Sequence, residues 1–123
     1  MSLTPDANAR RRLAHARPGH AILITIVGNY GLPGAVLAAE WRQAVQVERD
    51  PDVEHLAVEQ GVTIYAHRRV AAYARWHALP LTAHGRGWWS GFAIAHADMA
   101  WRDLVRWEYT HPGLRDHGHA PAA

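Results

Sequence analysis

Residues 20–30, with the sequence HAILITIVGNY, are rich in β-branched side chains. A branched Cβ restricts the side-chain torsion and packs well on a pleated surface, so such a run favours a strand over a helix. We therefore expect a buried strand over residues 21–28. Gly28, Gly31 and Gly34 predict a turn that leads out of it.

The size and composition of the chain point to one globular domain around that strand. The chain has 123 residues, of which 49% are apolar and 20% charged, and this balance excludes wholesale disorder. Cysteine is absent, which excludes disulfides and thiolate metal sites. We expect a basic N-terminal arm or helix over residues 1–19, a single domain over 20–112, and a flexible His- and Ala-rich tail over 113–123.

The sequence carries no recognisable membrane or export signal. No apolar run approaches the roughly 20 residues that cross a bilayer, and the polar, basic residues 1–12 do not resemble a signal peptide. We therefore expect a cytoplasmic protein with no membrane partner.

Apolar periodicity predicts helices for most of the remaining chain. Leu37, Trp41 and Val45 recur at helical spacing and indicate a helix over residues 33–48. Further helices are expected over 51–60, 63–79 and 98–109, where Asp or Thr can cap the first turn and Gly or Pro can end the helix. The predicted core residues are Leu37, Trp41, Val45, Trp101 and Leu104.

Residues 53–73, VEHLAVEQGVTIYAHRRVAAY, resemble the helix-turn-helix of many DNA-binding proteins. In that motif a small residue lets two helices approach, a glycine forms the turn, and Ser or Thr caps the recognition helix. Ala57, Gly61 and Thr63 occupy these places. The resemblance implies a helix-turn-helix-like hairpin over 53–79. With the helices and the strand predicted above, the expected fold class is mainly α with a minor strand element (α+β).

A second interpretation of the same segment is a strand, because the apolar Val62, Ile64 and Ala66 alternate with other residues. It belongs to an alternative fold class, a small α/β domain. That domain has strands near 21–28, 62–67 and 90–96, each followed by a helix.

The resemblance to a helix-turn-helix implies that the partner is duplex DNA. Arginines on the recognition helix can read guanine or hold phosphate, and apolar side chains near its start can contact thymine methyl groups. The arginines near the N-terminus can reach a phosphate or a minor groove. The candidate DNA-binding residues are Thr63, Ile64, Tyr65, Arg68, Arg69, Arg75, Arg10, Arg11 and Arg12.

Two other functions remain open at this point. Six Trp are many for a domain of this size, so an exposed Trp-rich surface can serve an adaptor that binds a protein partner or itself. A small α/β enzyme can instead bind an anionic ligand at the turn GNYGLPGA, which precedes a predicted helix. All 13 basic residues are Arg, a bias that a GC-rich genome explains, and the net charge of +2 permits a polyanionic partner without requiring one.

Neither a catalytic nor a metal site is expected. Ser90 lacks the setting of a nucleophile elbow. The ten His do not combine with a carboxylate in the spacing of a helical zinc site. The sequence thus favours a non-enzymatic protein without a cofactor.

Overall fold

Strand β2 (His20–Val27) lies inside a mixed sheet. The computed structural model describes residues 3–27, 36–84, 91–95 and 97–111. The other elements are β1 (Leu3–Pro5), α1 (Ala7–Leu13), β3 (Val36–Gln43), α2 (Ala44–Val47), β4 (Val53–Glu59), β5 (Val62–His67), α3 (Arg68–Ala74), β6 (Leu79–His84), β7 (Gly91–Ile94) and α4 (Ala97–Thr110).

The seven strands of the described residues are ordered β1-β6-β7-β3-β2-β5-β4. β1 pairs with β6 and β2 with β5 in parallel, and the other neighbouring strands are antiparallel. The sheet curls until it is nearly closed into a barrel. Its two edges are therefore β1 and β4, the strands at the ends of that order.

The register of β3, β2 and β5 places apolar side chains together on one face of the sheet. Ile22 lies opposite Trp41 on one side and Ile64 on the other. Two residues on, Ile24 lies between Ala39 and Ala66. Alternate residues of a strand share a face, and this alternation explains why Ile22, Ile24 and Ile64 are fully buried.

Three helices complete the core on that face. α4 packs against β3 and β7 and buries Trp101, Leu104 and Trp107. α3 packs against β4, β5 and α4, and α1 packs against β6 with Ala9 and Leu13 buried. Among the described helices, none has both the length and the apolar character needed to cross a bilayer.

The predicted fold class, mainly α, is wrong, and the segment 33–48 explains why. Its described part is strand β3 followed by the single turn of α2. Leu37 and Trp41 are four residues apart, a spacing that suits one face of a strand as well as one face of a helix. Leu37 is buried as predicted and Trp41 is half-buried, but Val45 is 61% exposed. Trp101 and Leu104 are buried as predicted.

The helix-turn-helix prediction is wrong as well, because residues 53–67 form the hairpin β4–β5. Gln60 and Gly61 connect the strands with φ of 51° and 76°. Two residues with positive φ are what a type I′ turn requires. The glycine that resembles the turn of a DNA-binding motif therefore supplies a hairpin turn. The strand Val62–His67 agrees with the alternating pattern.

The alternative α/β fold class does not describe the molecule either. Strands do occupy residues 20–27, 62–67 and 91–94, and α4 occupies the region of the predicted last helix. However, β4 leads directly into β5 without a helix, and most neighbouring strands are antiparallel. The domain limits stay a prediction, although the first 19 residues contribute β1 and α1 to the sheet and core.

The turn at Gln60 and Gly61 gives a first testable prediction. Gly61→Ala should lower the free energy of unfolding by roughly 1–2 kcal/mol, the cost of a left-handed residue with a Cβ. A Cβ at Gly61 meets nothing within 4 Å, so the cost is that of the backbone alone. Gln60→Asn should raise stability slightly, because Asn adopts positive φ more readily. Urea denaturation measures both, and an unchanged Gly61→Ala protein would mean that the turn has another conformation.

Candidate functional site

The predicted DNA-binding residues of β5 are not on a helix. Ile64 is fully buried in the sheet. Thr63 and Tyr65 lie on the opposite face of the strand and are half-buried. The Tyr65 hydroxyl donates a hydrogen bond to Glu48 Oε1 at 2.9 Å, and burial followed by this bond raises the pKa of Tyr65. Tyr65 thus ties β5 to the end of α2.

Arg69 of α3 binds the carboxylate of Glu108 on α4 with two hydrogen bonds. Arg69 Nε donates to Oε2 at 2.9 Å and Nη2 donates to Oε1 at 2.6 Å. Its guanidinium also lies 5.2 Å from the centre of the Trp101 ring, a distance typical of a cation–π contact. Glu108 is only 4% exposed, so this ion pair joins two helices at the rim of the core.

The other two arginines of the predicted recognition helix also face carboxylates. Arg68 Nη1 lies 3.4 Å from Asp52 Oδ1, and Arg75 Nη2 lies 3.7 Å from Glu54 Oε2. Both pairs are more exposed than that of Arg69. All three arginines therefore have structural partners within the chain.

These pairs predict different stabilities for two neighbouring variants. Arg69→Ala should lower the free energy of unfolding by about 3 kcal/mol, because it leaves the buried Glu108 carboxylate without its partner. Arg68→Ala should cost less than about 1 kcal/mol, because the side chains of its pair are 37% and 53% exposed. Chemical denaturation of the two variants measures the difference, and equal losses would contradict the bidentate pair.

His67, the last residue of β5, also caps α3. Its Nδ1 accepts a hydrogen bond from the backbone N–H of Arg69 at 3.2 Å. Burial lowers the pKa of His67 below its usual value, and the cations Arg68 and Arg69 lower it further against the opposing effect of Asp52. A protonated imidazole has no acceptor for the Arg69 N–H, so the fold prefers neutral His67.

Acid should therefore weaken the fold through His67. The unfolded chain takes up a proton near pH 6.5, whereas the folded chain does so only at lower pH. The contribution of His67 is complete above about pH 6.5 and is lost as the pH falls toward the folded-state pKa. His67→Asn keeps a capping oxygen without this titration, so its stability should fall less than that of the wild type between pH 7.5 and 5. Parallel loss in the two proteins, measured by urea denaturation, would contradict the role of His67.

One cavity of about 420 Å³ lies where α4 faces the end of α3 and the ends of β6 and β7. Ala78, Pro80, Ala95, Met99 and Ala100 give it an apolar lining. Its polar lining contains both signs of charge, because Asp103 lies among two arginines and accepts a hydrogen bond from the Tyr73 hydroxyl. Burial, followed by that bond, raises the pKa of Tyr73. This groove is open and has no single electrostatic preference.

A second cavity of about 370 Å³ differs from the first in the charge of its lining. It lies between the end of α1, the start of β2 and the end of β3. We call it the basic cleft. Its lining consists of Arg12, His15, Ala16, Arg17, His20 and Trp41. Every ionisable side chain in that set is basic. Within the described part of the chain, neither His15 nor Arg17 takes part in an ion pair.

A tight turn positions the two ends of the segment Arg17–His20. The His20 N–H donates to the Arg17 carbonyl at 3.2 Å, with Pro18 second and Gly19 third at φ +80°. This is the residue pattern of a type II turn, in which only the third position needs positive φ. The Gly19 carbonyl accepts the Ala44 N–H at 2.9 Å, which attaches the turn to the start of α2.

Two ring systems form the other wall of the basic cleft. Trp41 is half-buried and meets His20 edge to face, with centroids 6.4 Å apart and planes at 88°. Phe92 of β7 contacts Trp41 in a second edge-to-face pair at 5.1 Å. His20 Nδ1 is buried and has no hydrogen-bond partner in the described residues. A buried polar atom without a partner is unfavourable, so His20 Nδ1 offers a hydrogen-bonding position that the described residues do not fill.

Sequence reasoning identified only part of this cleft. Arg12 was among the predicted residues, whereas Arg10 and Arg11 are exposed on α1 outside the lining. His15, Arg17, His20 and Trp41 were missed. The concentration of Arg and His before the Pro18-Gly19 turn was visible in the sequence, but the approach of Trp41 depends on the pairing of β2 with β3.

Several predictions concern residues outside the described ones. The turn GNYGLPGA at 28–35, Ser90, Trp88, Trp89 and the tail 113–123 belong to this group. No set of three or more His, Asp or Glu suited to a metal ion occurs in the part of the chain that the structure describes. Comparison with known proteins yields no matching family model and no significant match among curated proteins.

Proposed function

We propose that this protein binds a small phosphate-bearing ligand in the basic cleft. The observation that carries the proposal is the lining itself, in which Arg12, His15, Arg17 and His20 are all basic and the described lining residues include no carboxylate. A partly enclosed site lined by one sign of charge concentrates the field and attracts ligands of opposite charge.

Arginine is well suited to this task. Its planar guanidinium donates paired hydrogen bonds that match the oxygens of phosphate, and it keeps its charge at every physiological pH. The described partners of Arg68, Arg69 and Arg75 are carboxylates of the chain itself. Arg17 has no such partner in the described residues, so a ligand can engage it without breaking an existing ion pair.

The resemblance to a helix-turn-helix was the reason to expect duplex DNA as a partner, and residues 53–67 form two strands in place of that motif. An adaptor that binds through an exposed Trp-rich surface has little support among the described residues. Of the four Trp in the described residues, Trp76 is exposed, Trp41 is half-buried, and Trp101 and Trp107 are buried. The cytoplasmic location stays a prediction.

Titration calorimetry with inorganic pyrophosphate tests the proposal. We expect saturable binding that weakens with added salt, and Arg17→Gln should weaken it about tenfold, as expected for loss of a charge-assisted hydrogen bond. Arg49→Gln is the matched control, because Arg49 is exposed and does not line the cleft. Absence of binding would contradict the proposal, and equal loss in both variants would show only a general attraction of anions in place of a defined site.

A further inference from the structure

We infer that the ligand of the basic cleft carries a planar ring next to its phosphate, as a nucleoside monophosphate does. The inference rests on the proposed function, since it assumes that the cleft binds phosphate. It adds the aromatic wall, which binding of phosphate alone does not require.

The geometry of His20 and Trp41 favours a flat ligand. The planes of the two rings are perpendicular, with centroids 6.4 Å apart. They therefore form a corner, in which a ring that stacks on one of them presents its own edge to the face of the other. Aromatic rings prefer these two arrangements, stacked and edge to face. A sugar phosphate without a base lacks the flat aromatic ring that this corner suits.

Trp41 holds its place without a ligand. Its ring contacts Phe92 edge to face, and its backbone lies in β3 opposite Ile22, in the interior of the sheet. A wall fixed in advance does not lose side-chain freedom when the ligand binds, which favours affinity.

The cationic and aromatic walls lie within the reach of one small molecule. Arg17 and His20 are the first and last residues of one turn, so their Cα atoms are less than about 7 Å apart. The cleft volume of about 370 Å³ is at the lower end of the range of ligand pockets, about 300–1,000 Å³. These dimensions suit a mononucleotide, with its phosphate at Arg17 and its base at Trp41.

The experiment compares four ligands by titration calorimetry: AMP, ribose 5-phosphate, adenosine and inorganic pyrophosphate. AMP should bind at least fivefold more tightly than ribose 5-phosphate, because stacking of a base on an aromatic side chain contributes that much or more. Trp41→Leu should remove the advantage of AMP over ribose 5-phosphate, whereas pyrophosphate, which has no ring to stack on Trp41, should lose much less affinity. Trp41→Phe keeps a ring and should retain part of the advantage, and it serves as the second variant if Trp41→Leu does not fold.

The outcomes separate this inference from the proposed function. If pyrophosphate binds but AMP binds no more tightly than ribose 5-phosphate, the planar-ring inference is overturned and the phosphate site stands. If an advantage of AMP survives in a folded Trp41→Leu protein, the base does not use this wall and the inference is also overturned. If none of the phosphates binds, both proposals fail.

The same chemistry occurs in a free nucleotide and at the end of a nucleic acid strand. A further arm therefore titrates a short single-stranded oligonucleotide with and without a 5′-phosphate. Tighter binding of the phosphorylated strand than of AMP assigns the site to strand ends. Tighter binding of AMP assigns it to free nucleotides. Either result is consistent with recognition of a ring and a phosphate. Equal affinity for the oligonucleotide with and without its 5′-phosphate would show that the site does not bind strand ends.

Discussion

The pairing of β2 with both β3 and β5 is the interaction on which the other features of this molecule depend. It places Ile22 and Ile24 between apolar neighbours on either side, at the centre of a sheet that curls around them. A shift of one residue in this register would turn both isoleucines to the opposite face. The same pairing sets the aromatic wall of the basic cleft, because it brings Trp41 of β3 beside the start of β2.

The sequence predicted well those elements whose pattern admits one interpretation. The β-branched run of β2 suits a strand and little else. Trp101 and Leu104 of α4 are three residues apart, a spacing that places both side chains on one face of a helix but on opposite faces of a strand. Spacings of four, as between Leu37 and Trp41, do not discriminate between helix and strand. Gly61 is equally ambiguous, because both a helix end and a hairpin turn use its positive φ. Only pairing between distant strands resolves such segments, and one sequence carries no record of that pairing.

The arginines divide into two groups that composition alone cannot separate. Arg69 lies in a bidentate pair with a buried glutamate and joins α3 to α4, whereas Arg17 lines a cleft with other basic side chains. For Arg69 the deciding carboxylate is far away in sequence. Glu108 is 39 positions from Arg69. An inventory of charged residues therefore says less about function here than the position of the acidic ones.

The basic cleft lies at a junction between two parts of the chain that attach to different regions of the sheet. One wall belongs to the N-terminal segment, which attaches through β1, the packing of α1 and the hydrogen bond from Asp6 N–H to the Leu81 carbonyl to β6. The other wall belongs to β2 and β3. Departure of the N-terminal segment from β6 separates these walls, so occupancy of the cleft and attachment of the segment are thermodynamically linked. Of the first thirteen residues only Arg12 lines the cleft, so a ligand that contacted both Arg12 and the β2–β3 wall would bind more tightly while α1 stays attached to β6.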